Sequence, residues 1–146
     1  MTTRYSSTRS ADTDIGEGQA EVQELLDRMA RAVTQGDGKA IAKLWAVPAL
    51  VLGDADVRAV DSLTEVEIFF GGAKEQYNAK GVVDTRAEIR ELKWLTPRMA
   101  VVEVRWPYLD ENDREMGEET STYVFRRDKK DALKLQTALM HGATPG

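Results

Sequence analysis

The amino-acid order predicts an α+β fold, with three N-terminal helices packed on one face of a mostly antiparallel sheet. Three observations carry this. Between Glu17 and Ala79 the apolar residues recur at the 3.6-residue spacing of amphipathic helices. From Val82 onward they alternate with polar residues at the period of a strand. Short polar turns separate the alternating stretches, so consecutive strands fold back on one another as antiparallel hairpins.

Residues 1–16 are expected to form a disordered tail ahead of a single domain over 17–146. Met1 to Asp14 is polar and rich in Ser, Thr and Arg, with no apolar centre of the kind a secretory signal needs. Helix one follows from Glu17 to Gln35, with Val22, Leu25, Leu26, Met29 and Val33 on one stripe. Gly36-Asp37-Gly38 breaks it, and a second short helix is expected over Lys39–Trp45 until Pro48 stops it. Ala49–Leu52 and Val57–Val60 read as two brief strands around the turn Asp54-Ala55-Asp56. Helix three starts at Asp61 or Ser62, where Ser62 and Glu65 have capping-box spacing, and runs to about Ala79. Gly71-Gly72 inside it weakens the helix by about 1 kcal/mol each relative to alanine, so a bend is expected there.

Four long strands complete the chain: Val82–Leu95, Arg98–Tyr108, Gly117–Arg127 and Ala132–His141. Pairing apolar with apolar places Ala100, Val102, Val104 and Trp106 on one face with Ser121, Tyr123 and Phe125. Ala87 and Ile89 join this face, which is expected to carry the helices. The opposite face is expected to mix Leu92 and Trp94 with Glu88, Arg90, Glu103 and Arg105, and that mixture points to a subunit contact.

Composition narrows the function. A length of 146 residues suits one domain, and 42% hydrophobic with 31% charged residues is ordinary for a globular chain. The net charge of −5 disfavours nucleic acid, whose phosphates would be repelled. The absence of cysteine removes disulfides, thiol catalysis and thiolate metal sites, and fits a cytoplasmic protein. No apolar run approaches the roughly 20 residues that span a bilayer, so no membrane partner is expected. With one histidine and no spaced-acid loop, no metal site is expected either, and no nucleophile elbow, P-loop or dinucleotide fingerprint is present.

The order helix, short helix, two short strands, helix, long-stranded meander occurs here with particular local pieces: Gln35-Gly36-Asp37, Leu44-Trp45, Asp61–Phe70, and Tyr123-Val124-Phe125-Arg126-Arg127 followed by Leu133-Lys134-Leu135. Over residues 17–141 this resembles the nuclear transport factor 2-like (cystatin-like) superfamily. The resemblance implies a strongly curved sheet wrapping the helices into a cone, whose open end is a pocket for a small, often apolar molecule. It also implies homodimers through the sheet. Members of the superfamily include ketosteroid isomerases, polyketide cyclases and dehydratases, alongside non-enzymatic binding and transport proteins.

The isomerases of that superfamily set a carboxylate base just after the first short strand, with a tyrosine and a protonated acid as oxyanion hole. Here that position falls at about Gly53, with Asp54 beside it, and helix one has no tyrosine. Asp54 therefore reads first as a turn residue. His141, the one histidine, is either a general base or an exposed residue near the end of the last strand. The strongest positive pattern is aromatic. Trp45, Phe69, Phe70, Tyr77, Trp106, Tyr123 and Phe125 map to inward faces, and of these Trp45, Phe69, Tyr77, Trp106 and Tyr123, with Met29, Glu119 and Ser121, are the expected lining of a ligand pocket. Gln136 is a further polar candidate whose face depends on the last hairpin's register.

The expected role is therefore binding of a small apolar or amphipathic molecule without a cofactor. The alternatives are a cofactor-free isomerase, cyclase or dehydratase that uses pocket carboxylates, and a dimeric structural or interaction module.

Overall fold

The structure, a computed structural model, describes the backbone of residues 11–145 and the side chains of residues 18–142. The elements run α1 (Ala11–Gln35), α2 (Gly38–Ala42), β1 (Trp45–Leu52), β2 (Val57–Val60), α3 (Leu63–Phe70), α4 (Ala73–Ala79), β3 (Glu88–Thr96), β4 (Met99–Leu109), β5 (Glu115–Arg127) and β6 (Leu133–Pro145). The strands form one six-stranded sheet in the order β2-β1-β6-β5-β4-β3. All neighbours are antiparallel except β1 and β6, which run parallel. The α+β class and the mostly antiparallel sheet are as expected.

Helix α1 starts at Ala11, so the expected tail loses residues 11–16 to the helix; residues 1–10 lie outside the described residues. Its Gly18 is explained by packing: a Cβ there would come within 2.7 Å of Trp94 Nε1. Helix α2 ends sooner than expected, because Trp45 is drawn into β1 opposite Leu135 of β6, and Leu135 N donates to Leu44 O at 2.8 Å. Pro48 sits in the break of register between Trp45 and Leu50, where no ladder hydrogen bond is lost. The expected third helix is two helices, α3 and α4, split at Gly71-Gly72. Its start is as expected: Ser62 Oγ accepts from Glu65 N at 3.2 Å, and the Glu65 carboxylate reaches back to Asp61 N at 3.1 Å.

The register of β4 with β5 matches the expected pairing. Ala100 faces Phe125, Val102 faces Tyr123 and Val104 faces Ser121, and all six are buried. With Val22, Leu26, Ile41 and Leu135, the five apolar and aromatic members of these pairs belong to the hydrophobic core.

Strand β3 departs from expectation in two ways. It begins at Glu88 rather than Val82, because the chain before it makes only an isolated bridge, Asp84 to Leu109. It also carries a bulge at Arg90, between the pairs Ile89–Val104 and Glu91–Glu103. One extra residue reverses the alternation beyond it, so Leu92 and Trp94 join the helix face and pack on the core. The mixed outer face read from the sequence is therefore more polar than expected. There Arg105 donates to Glu88, Glu115 and Glu118. The carboxyls of Glu88 and Glu115 are held below their ordinary range chiefly by these bonds to Arg105.

Candidate functional site

A cavity of about 360 Å³ lies between α1, the α3–α4 pair, the loop before β3 and the helix face of β4, β5 and β6. The sequence explains how each wall is placed. The stripe of α1 presents Met29 and Ala30, with Val33 one turn on. The split at Gly71-Gly72 lets α3 end on Phe69 and Phe70 and α4 set Tyr77 over the sheet. Alternation along β4 and β5 brings in Trp106, Tyr108, Glu119 and Tyr123. Residues 82–85, tied to the sheet only through Leu109 of β4 and the Thr85–Pro107 contact, close the side.

The walls are mainly aromatic and make a connected set. Trp45 and Phe70 ring centroids lie 5.9 Å apart, and Phe69 meets Phe70 edge-on at 4.9 Å. Phe69 is 44% exposed, and its ring lies under the Arg58 guanidinium at 5.2 Å. On the sheet, Trp106 Nε1 donates to Tyr123 Oη at 2.9 Å. Burial pushes the Tyr123 phenol up to about 12. The indole N–H of Trp45 is buried and has no acceptor among the described residues.

One polar cluster breaks the apolar lining. Tyr77 Oη from α4 and Tyr108 Oη from β4 both donate to Glu119 Oε1 of β5, at 2.9 and 2.8 Å. The two rings lie 5.5 Å apart. Burial, and then the Glu119 carboxylate, raises both phenols well above their ordinary range. They are therefore proton-retaining donors at any working pH, and not general bases. Among the described residues no lysine or arginine lies within ion-pair distance of Glu119. Across the cavity, Lys74 lays its stem against the turn at Gly36. Thr85 Oγ1 donates to Pro107 O at 2.7 Å.

Of the residues the sequence singled out, Met29, Trp45, Phe69, Tyr77, Trp106, Glu119 and Tyr123 all border this cavity. Ser121 does not. It is fully buried beneath the wall, with its hydroxyl 3.9 Å from Met140 Sδ. Asp54 sits exposed in the β1–β2 turn, away from the cavity. His141 lies on the opposite sheet face, exposed, with its ring nitrogens 3.0 and 2.8 Å from the Thr120 and Thr122 hydroxyls. Gln136 sits in a bulge of β6, donates to Pro48 O, and stays out of the cavity.

Phe70, read from the sequence as an inward aromatic beside Phe69, borders the cavity too, whereas Tyr108, Ala138 and Met140 were missed. Tyr108 was legible, since it follows Trp106 by two residues on the same face. Ala138 and Met140 were not, because the bulge at Gln136 shifts their side of the strand. Among the described residues no group of His, Cys, Asp or Glu is placed to hold a metal ion, and no helix is long and apolar enough to cross a membrane.

Comparison with known proteins bears on the fold. A family model described as an NTF2-like protein (DUF6841) matches residues 19–143. No curated protein matches the sequence. Among solved structures, a domain of unknown function with a cystatin-like fold from Nostoc punctiforme superimposes with a TM-score of 0.68 at 14% identity, covering 90% of this chain and 78% of that one. An NTF-2 like protein of unknown function from Shewanella oneidensis gives 0.66 at 17% identity, covering 86% and 99%. An NTF2-like protein with a cystatin-like fold from Novosphingobium aromaticivorans gives 0.65 at 13%, covering 90% and 85%. At these identities the likeness establishes a shared fold and nothing about chemistry.

Proposed function

We propose that this chain, which belongs to the NTF2-like family DUF6841, binds a small apolar or amphipathic molecule between its helices and the concave face of its sheet. The observation that carries this reading is the cavity itself. Its volume of about 360 Å³ lies within the range of small-molecule sites, and its walls are largely apolar with one convergent polar cluster at Glu119. Fully packed cores leave few voids larger than a water molecule, so an open space of this size lined by tryptophan and tyrosine is unlike ordinary packing.

Ala138 gives the test. It is buried and borders the cavity from β6. A neutral apolar dye such as Nile red is expected to brighten on binding the wild type. Ala138→Phe should weaken that binding at least about tenfold while keeping the far-ultraviolet circular dichroism of the fold. Equal dye binding by both proteins would mean the dye sits elsewhere and would remove the support for the cavity.

A second reading, a cofactor-free isomerase, cyclase or dehydratase, rests on the same Glu119, a carboxylate inside an aromatic cavity. In that case Glu119→Gln would abolish turnover and spare dye binding. Asp54 has no part in it, being outside the cavity.

The proposal includes a homodimer through the outer sheet face, working in the cytoplasm. The support for the dimer is now a stripe of Val101, Val124 and Leu139, with Leu50 alongside, rather than Leu92 and Trp94. Leu50 and Leu139 are exposed. Sedimentation equilibrium at micromolar concentration should return twice the chain mass of 16.3 kDa, and a monomer mass would end this part of the reading.

A further inference from the structure

We infer that the cavity's ligand is a monocationic amine, an ammonium or protonated nitrogen carried on an apolar body, with its charge seated at Glu119. The inference rests on the pocket reading above and adds the charge of the occupant. The polar cluster at Glu119 decides the charge, through what it still offers once its internal hydrogen bonds are made.

At the polar cluster the donors are spent, while the unpartnered indole N–H of Trp45 lies on another wall of the cavity. Both phenols that reach the polar cluster, Tyr77 and Tyr108, give their protons to one oxygen of Glu119. The Trp106 indole gives its own to Tyr123, and the Thr34 and Thr85 hydroxyls give theirs to the carbonyls of Arg31 and Pro107. What remains unspent at the cluster is acceptor capacity. Glu119 Oε2 takes no hydrogen bond among the described residues, and each phenol oxygen keeps lone pairs.

The electrostatics point the same way. A half-buried carboxylate with no cation beside it favours a positive partner more strongly than an exposed one would, because the aromatic walls screen it poorly. The rings of Tyr77, Tyr108, Trp106 and Tyr123 line the same cavity, and aromatic faces attract a cation in addition to packing on its apolar body. The rim carries a second carboxylate, Asp84, whose Oδ1 accepts from Thr85 N at 2.9 Å. Lys74 is the opposing feature. Its stem is held against the turn at Gly36, and it makes no ion pair with Glu119.

Three probes of nearly one shape separate charge from fit: 1-naphthylmethylamine, protonated at pH 7, neutral 1-naphthylmethanol, and anionic 1-naphthoate. Isothermal titration of the full chain is expected to rank the amine at least about tenfold tighter than the alcohol, with naphthoate weakest. Glu119→Gln keeps an acceptor for both phenols and removes the charge. It should bring the amine down to the alcohol's affinity and leave the alcohol unchanged. An amine no tighter than the alcohol, a tighter naphthoate, or an amine preference that survives in Glu119→Gln each overturns the inference. If the alcohol binds and the amine does not, the pocket stands and the charge assignment falls. If none of the three binds and Nile red does not either, the pocket reading itself falls with it. The wild-type ranking decides the matter even if the variant fails to fold.

Discussion

Trp94→Ala is expected to lower the stability of folding by about 3 kcal/mol, while Lys93→Ala, its immediate neighbour, stays within about 0.5 kcal/mol. The contrast follows from one inserted residue. The bulge at Arg90 turns Trp94 to the helix face, opposite Ala100, and leaves Lys93 outside, opposite Val101. There the indole fills the space that Gly18 of α1 leaves open. It also lies under the Arg127 guanidinium at 5.3 Å, which in turn pairs with Glu21 of α1 at 2.7 Å. Removing the ring leaves a cavity at the α1–sheet contact and loosens that ion pair's support. The value sits at the low end for a large aromatic, because the Trp94 side chain is half-buried and its N–H has no acceptor to lose. Urea denaturation gives the measurement: the midpoint should fall with no change in slope. Equal, small effects for the two substitutions would place Trp94 outside and restore the uninterrupted alternation.

Raising the pH above 10 is expected to unfold the protein steeply, with a slope set by its cavity tyrosines. Tyr77, Tyr108 and Tyr123 all hold their protons in the folded state beyond the ordinary phenol value of 10.0. Burial is the leading cause for each, and the Glu119 carboxylate adds to it for the first two. The sign follows from proton counting. Between pH 10 and about 12 the unfolded chain has released the Tyr123 proton while the folded chain retains it. Stability is therefore complete below pH 10 and falls as pH rises, by about 1.4 kcal/mol per pH unit for each such proton. Three phenols acting together would give up to three times that slope. Stability measured in urea from pH 8 to 11.5 checks it. Tyr77→Phe should remove one proton's worth of slope. A wild-type slope of one proton or less would show that the cluster ionises freely in the folded state.

This cluster also shows where sequence reading stops. Tyr77, Tyr108 and Glu119 lie on α4, β4 and β5, separated by 31 and 11 residues in sequence. No local pattern joins them. The periodicity of each element says which way its side chain points, and so Tyr77, Trp106 and Glu119 were legible one by one as inward residues. Their meeting at a single carboxylate oxygen depends on how far α4 swings after Gly71-Gly72, and that is a tertiary quantity.

The sequence by itself determined the α+β class, the capped start of α3, the β4–β5 register and the aromatic character of the cavity. Each of these follows from local rules: helical or strand periodicity, capping chemistry, and the pairing of apolar with apolar across a hairpin. Only the tertiary structure decided the rest. Trp45 left its expected helix because β6, ninety residues on, offered it a ladder partner. Leu92, Trp94, Ala138 and Met140 took their sides through single-residue bulges, which cost one ladder position and leave no mark in composition. Asp54 and His141, plausible on chemistry alone, were set apart from the cavity by the β1–β2 turn and by the face of β6. Periodicity is a property of a short segment, whereas a cavity is the space left between segments, so only their mutual packing could define it.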